Sequence, residues 1–385
     1  MFTAAAPLPT GERTPPQDLA ERIARFGVDL YQAIAAEEHG NIALSPYSIA
    51  VALQMVWHGA AGETADEIAA TLHQTGSPAD AHRQLFSMLN TELPGDALTL
   101  NTANTLWVQH GLHLHSAFAD ALHTGYDASP HRTDFIRDAE SVRQEINRVI
   151  AGQTGGHIVE LLDQGSIGRL TRLVLANACY LLLRWDEPFP PEATTEQPFH
   201  IPDREPVAVP MMRRKAVFGY LRGDGYEAVS LPDASGQLAV TILLPAGPKL
   251  LAQLRKRGLL SILANLRPTE LTLTLPRFRL HGNSSLNTML QQLGIRRAFD
   301  KGRAEFTNIT DDEPLYLSNV VHGIELAVDE RGAEAAAATA AVISTISLSL
   351  PPREVTVDRP FLFAITHSGT GLPLLFGRVQ DPSVT

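Results

Sequence analysis

The stretch from Val328 to Pro360, V-D-E-R-G-A-E-A-A-A-A-T-A-A-V-I-S-T-I-S-L-S-L-P-P-R-E-V-T-V-D-R-P, constrains the fold more than any other part of the chain, because no single secondary structure suits all of it. By propensity Glu334 to Val342 reads as a helix, since alanine loses least on helix formation and no β-branched residue interrupts before Thr339. Beyond that point Val342, Ile343, Ile346, Leu348 and Leu350, punctuated by hydroxyls, read as a strand. A third reading reconciles the two. The whole stretch is an exposed loop whose side chains are small enough to thread between two existing strands without clashing on either face.

That third reading needs a large protein around it, and the composition supplies one. A chain of 385 residues, 44% hydrophobic and 19% charged, buries a sizeable core and is neither disordered nor fibrous. A net charge of -11 and a pI near 5.7 argue against nucleic acid or another polyanion as partner. The short basic clusters Arg213-Arg214-Lys215 and Arg255-Lys256-Arg257 read as solvated faces, and no clear heparin-type site emerges.

The lone Cys179 excludes an internal disulfide framework and, within L-V-L-A-N-A-C-Y-L-L-L, reads as a buried small hydrophobe. Residues 1–15 read as a disordered leader without the basic start or apolar core of a secretory signal. The expectation is therefore a cytoplasmic protein, or an extracellular one whose signal has been removed. No apolar run is long enough for a membrane span. None of the 14 histidines lies in H-E-x-x-H, His367-Ser368-Gly369 lacks the glycine of a nucleophile elbow, and no phosphate-binding fingerprint occurs. No enzymatic activity, metal or cofactor is expected.

Taken in order, the chain predicts a helix from about Pro16, with Leu19, Ile23, Phe26 and Leu30 at helical spacing. A short strand over Asn41–Leu44 follows, then a buried helix opened by Ser45-Pro46 and closed by Gly59 and Gly62, with Thr64 capping the next. Alternation from Ala97 to His110 predicts a strand, and helices follow near 116–124 and 138–151. The apolar run in L-V-L-A-N-A-C-Y-L-L-L-R-W predicts a central strand buried on both faces. Strands then dominate, among them V-A-V-P-M-M, Y-E-A-V-S-L, L-A-V-T-I-L-L-P and E-L-T-L-T-L-P-R-F-R-L, before a helix over Leu286–Leu293. P-F-L-F-A-I-T-H and P-L-L-F-G-R-V close the chain as a hairpin. The sum is one α+β domain over residues 16–385.

Several pieces, in order, carry a resemblance: N-I-A-L-S-P-Y-S-I; I-N-R-V-I-A-G-Q-T-G-G-H-I; N-A-C-Y-L-L-L-R-W; L-G-I-R-R-A-F with A-E-F-T-N-I; V-H-G-I-E-L-A-V-D-E-R-G-A-E-A-A-A-A-T; and F-G-R-V-Q-D-P. Over nearly its whole length the chain resembles the serpins. The resemblance implies three β-sheets, eight to nine helices and an exposed reactive-centre loop at about 330–352. It implies a monomer that inhibits serine proteases: the protease cleaves the loop, is held as a covalent 1:1 acyl-enzyme, and the loop inserts into the central sheet. A non-inhibitory binding or chaperone-like member is the alternative.

The resemblance assigns a hinge to Glu330, Arg331, Gly332, Ala333, Glu334, Ala335, Ala336, Ala337, Ala338 and Thr339. Counting forward from it puts the reactive bond at Ile346-Ser347, while counting back from Pro351-Pro352 puts it at Leu348-Ser349; the first is preferred. Either presents an aliphatic side chain, suited to the apolar pocket of chymotrypsin-, elastase- or subtilisin-like proteases. A buried polar "shutter" carries over to Ser45, Ser48, Asn177 and His322, and the "breach" to Trp185. Ala333, Leu182, Leu183, Val149 and His157 depart from the family's usual residues.

Overall fold

The computed structural model describes residues 14–76, 79–92, 98–332 and 353–384. Nearly all of the expected leader, the hinge from Ala333 onward and both candidate reactive bonds lie outside the described residues. The described helices are α1 (Pro15–Glu37), α2 (Pro46–Gly59), α3 (Gly62–Thr71), α4 (Ala79–Glu92), α5 (Ser116–Tyr126), α6 (Ala139–Gln153), α7 (Lys249–Arg257), α8 (Leu259–Ala264) and α9 (Asn287–Leu293). The strands are β1 (Ile42–Leu44), β2 (Leu98–Gln109), β3 (His131–Thr133), β4 (Leu173–Leu183), β5 (Thr195–Phe199), β6 (Val207–Gly223) and β7 (Tyr226–Pro232). There follow β8 (Leu238–Pro245), β9 (Arg267–Pro276), β10 (Phe278–Ser285), β11 (Leu317–Val328), β12 (Arg353–Thr356), β13 (Phe361–His367) and β14 (Pro373–Val379).

Their ladders make two continuous networks rather than three separate sheets. One has five strands in the order β10-β11-β4-β2-β3; the other runs β1-β14-β13-β8-β7-β6-β9-β12, with β5 also on β6. The long strand β6 reconciles this with three sheets. Its first part pairs with β5 and its last residues, Gly219–Gly223, with β7, so it joins two arms that the family pattern counts separately. The expected terminal hairpin is present as β13 and β14.

In β4 the two rows of side chains have different homes, which is why its sequence is apolar without alternation. Leu173, Leu175, Cys179, Leu181 and Leu183 join the main core, whereas Val174, Ala176 and Ala178 pack with Val142, Ile146 and Ile150 of α6. α2 is likewise apolar all round and buried from Pro46 to Val56; its N-cap, Ser45, accepts the Ser48 N–H.

Two local expectations differ. Thr64 does not cap α3, which begins earlier, at Gly62; its hydroxyl accepts the Glu305 N–H, while the Glu305 carboxylate takes the Glu63 N–H from outside the helix. The run E-L-T-L-T-L-P-R-F-R-L is two strands. Pro276 supplies no N–H to continue the ladder, and the chain passes from β9 to β10 in the other sheet while Leu275 and Phe278 stay in one core. The triplet Arg255-Lys256-Arg257 occupies the last turn of α7, where cations complement the helix C-terminus.

Candidate functional site

In the five-stranded sheet β4 and β11 run parallel and in contact, from Leu317 opposite Leu173 to Glu325 opposite Tyr180. A strand that turns straight back from β11 is antiparallel to it and therefore also to its parallel neighbour β4, the pairing with the straighter hydrogen bonds. The residues just before Ala333 already start this arrangement. Beyond β11 the backbone reverses in a tight turn, with the Asp329 N–H bonded to the Gly332 carbonyl at 2.8 Å and the Arg331 N–H to the Asp329 carboxylate. Gly332 then makes an antiparallel bridge to Arg184 just past the end of β4. It sits at φ +122°, and a Cβ there would come within 2.2 Å of the Leu183 carbonyl oxygen. Only glycine fits this turn.

Three groups lock the turn. Trp185 is buried, donates its indole N–H to the Asp329 carbonyl and gives its backbone N–H to the Arg331 carbonyl. Phe189 gives its backbone N–H to the Glu330 carbonyl. Glu330 is 6% exposed and its carboxylate accepts from Arg277 Nε at 2.8 and 2.7 Å, from Arg277 Nη2 and from the Thr194 hydroxyl. Burial raises the pKa of this carboxyl, but the hydrogen bonds from Arg277 and Thr194 outweigh it and leave the net shift downward.

Lower on the sheet one polar row crosses three strands. Asn104 of β2 faces Asn177 of β4, which faces His322 of β11. His322 Nε2 accepts the Ser45 N–H at 3.1 Å, so Nδ1 carries the proton and donates to Asn177 Oδ1. The Asn177 amide donates to Ser48 Oγ and to Asn104 Oδ1, and Ser48 Oγ also donates to Asn104 Oδ1 at 3.2 Å. Ser45, Ser48, Asn177 and His322 are thus gathered into one network between the N-terminus of α2 and the parallel pair. Asn104 is the member that the sequence analysis missed. Its only signal was a polar residue in an alternating strand, and its partner depends on register.

The serpin (serine protease inhibitor) family profile matches residues 21–382. This chain belongs to the serpin family. Leukocyte elastase inhibitor A of Mus musculus is 35% identical over 372 residues, covering 93% of this chain and 97% of the relative. Serpin B6 of Pongo abelii is 36% identical over 376 residues, covering 94% and 99%. Among solved structures, Serpin48 of Tenebrio molitor, described as a highly specific serpin, superposes with a TM-score of 0.83 at 29% identity, covering 95% of this chain and 98% of that one.

Of the replacements of the family's usual residues, the four among the described residues are packed. His157 lies flat on Tyr180 of β4, with ring centroids 3.5 Å apart and planes 6° from parallel. Val149 packs beside the α6 core, and Leu182 and Leu183 pack against the main one.

Two of the histidines buried among the described residues, His322 and His82, are held neutral, which makes the serpin's stability acid-sensitive. Burial pushes the His322 pKa down to about 3. His82 on α4 is pushed to about 4, by burial first and by the charge of His58 second. Both pKa values are lowered from 6.5, so the stability due to the neutral forms is complete above that pH and is lost as pH falls from 6.5 toward 3–4. Each histidine contributes a slope of about 1.4 kcal/mol per pH unit there. Neither His82 ring nitrogen has a hydrogen-bond partner among the described residues. The substitution His82→Phe is therefore expected to raise stability by about 1–3 kcal/mol at neutral pH and to flatten the loss below pH 6.5. Denaturant midpoints at pH 7.5 and 5 test this, and an unchanged pH dependence in the variant would refute it.

Proposed function

We propose that this serpin is a suicide inhibitor of serine proteases of elastase-, chymotrypsin- or subtilisin-like specificity, acting as a monomer and forming a covalent 1:1 complex without turnover. The observation that carries the reading is the antiparallel bridge between Gly332 and Arg184 at the head of a parallel strand pair. Serpin loops are themselves the standard example of strand addition and strain release; what this chain adds is the register.

Two bridges define it, Arg184 opposite Gly332 and Asp329 opposite Gly332. An entering strand that continues both sets Ala333 between Leu183 and Val328, Ala335 between Leu181 and Leu326, Ala337 between Cys179 and Ile324, and Thr339 between Asn177 and His322. The flanking apolar residues all belong to the main core, so small uncharged side chains are what this row admits. Thr339 alone of the four carries a hydroxyl, and it arrives at the polar row. Asn177 and His322, which bond each other in the resting sheet, would then bond the newcomer, and in this way the network acts as the shutter. About a dozen residues gaining ladder bonds at ~1 kcal/mol each make insertion favourable by an order of 10 kcal/mol, comparable to a domain's whole stability. The resting fold is therefore metastable.

The aliphatic residue ahead of either candidate bond, Ile346 or Leu348, selects the protease class, and the naming of several relatives as leukocyte elastase inhibitors supports the elastase-like choice. Incubation with pancreatic elastase, chymotrypsin and subtilisin should yield SDS-resistant complexes and release a C-terminal peptide starting at Ser347. A start at Ser349 would move the bond to Leu348-Ser349. Cleavage with neither a covalent complex nor a gain in thermal stability would overturn the inhibitory reading in favour of a binding or chaperone-like role.

A further inference from the structure

The outer face of the seam between β4 and β11 is covered by α6 and the connection after it, residues 154–172. These two form one body. The Asn147 side chain accepts the N–H groups of Leu161 and Leu162 at 3.1 and 2.9 Å, and Arg143 donates to the Leu162 carbonyl at 2.6 Å and to the Glu160 carboxylate at 3.2 Å.

The body holds the sheet on both sides of the seam, but unequally. On the β2 and β4 side its apolar core takes in Ala103, Trp107, Val174, Ala176 and Ala178, and His157 stacks on Tyr180. On the β11 and β10 side it takes in Val321 and rests on Gly323, where an added Cβ would lie 2.7 Å from Leu161 and 3.3 Å from Ile158. There the Asn283 amide of β10 donates to the Glu160 carbonyl.

A new strand widens the seam by about 4.8 Å, the spacing between neighbouring strands. The body cannot then keep both grips, and the smaller apolar contact is the one to yield. From the unequal grip of this body on the two flanks, we infer that Asn283 is the catch for strand entry: α6 and its connection travel with β2 and β4 and release β10 and β11 by breaking the hydrogen bond from Asn283 to Glu160. Other polar ties, from Asn319 to the Ser166 carbonyl and from Tyr316 to the Leu170 carbonyl, lie toward the N-terminal end of β11, which a strand entering from Gly332 reaches last. Asn283 is thus a positioning residue, acting through the body it holds. The inference rests on the loop-insertion reading above.

Asn283 Oδ1 is buried without a hydrogen-bond partner among the described residues, so Asn283→Ala discards an unsatisfied acceptor together with the catch and should leave the resting fold's melting temperature nearly unchanged. The test is uptake of a synthetic peptide with the sequence of residues 333–344, followed as growth of the heat-resistant fraction, with no protease present. Loss of one ordinary hydrogen bond predicts uptake about fivefold faster in Asn283→Ala, and at least as fast in Asn283→Asp, whose carboxylate faces the same carbonyl. His157→Ala, which loosens a contact retained throughout, should be no faster than the unaltered protein. Wild-type rates in both Asn283 variants would overturn the catch, and equal acceleration in His157→Ala would overturn the division between the two flanks. If the unaltered protein takes up no peptide, the insertion reading itself falls, a result distinct from either.

Discussion

Ala335→Glu is expected to convert the inhibitor into a substrate. On insertion, residue 335 falls between Leu181 and Leu326, which are 1% and 0% exposed and face the main core. A carboxylate there has no partner and must either stay charged at a cost of several kcal/mol or take up a proton. Insertion then stalls while hydrolysis of the acyl-enzyme proceeds, so the protease leaves intact. The measurable outcome is a stoichiometry of inhibition rising many-fold, with cleavage at the same bond, no SDS-resistant complex and no gain in heat resistance after cleavage. Glu334→Ala is the matching control. Residue 334 meets half-buried Leu182 and Ala327 on the opposite face, where the native sequence already tolerates a glutamate. An inhibitory stoichiometry in Ala335→Glu equal to that of the unaltered protein would refute insertion in this register.

The elements that were legible in the sequence are those fixed by local periodicity. The buried faces of α1 and α2 follow from apolar spacing, and β4 announces itself by an apolar run because each of its faces has its own core. Thr64 misled because its neighbours look like a helix start, whereas the helix begins at Gly62 and the hydroxyl serves a chain segment 241 positions away.

The site is less legible for the same reason. Ser45 and His322 are 277 positions apart, and only the family resemblance put them together. Asn104 joins them through strand register, which no spacing rule reveals. The Ala-rich stretch resisted assignment by propensity because the insertion proposed above would select small side chains, and alanine is small before it is helical. The resemblance singled out Gly332, but the reason it must be glycine, the Leu183 carbonyl beside it, was not legible.

The second large effect is expected at Glu330→Lys. The native carboxylate is nearly inaccessible and takes hydrogen bonds from Arg277 and Thr194; the substitution buries a cation at this position and sets it against the half-exposed Arg277 guanidinium. Arg277 is half-exposed, so removing its partner costs about 1–3 kcal/mol, the range for a hydrogen-bonded charged group left unpaired. The loss falls on the turn that Trp185 and Phe189 hold, so the bridge between Gly332 and Arg184 opens first. An opened seam exposes unpaired edges of β4 and β11, and such edges pair with any available strand, including the loop of a second copy. The variant should therefore melt several degrees lower and form high-mass species on warming, read by light scattering. Glu330→Gln, which keeps the shape and one acceptor, should lose less. The double change Glu330→Lys with Arg277→Glu restores opposite charges and should recover part of the loss. Equal melting temperatures for the native protein and Glu330→Lys would show that the Arg277 pair does not hold the hinge.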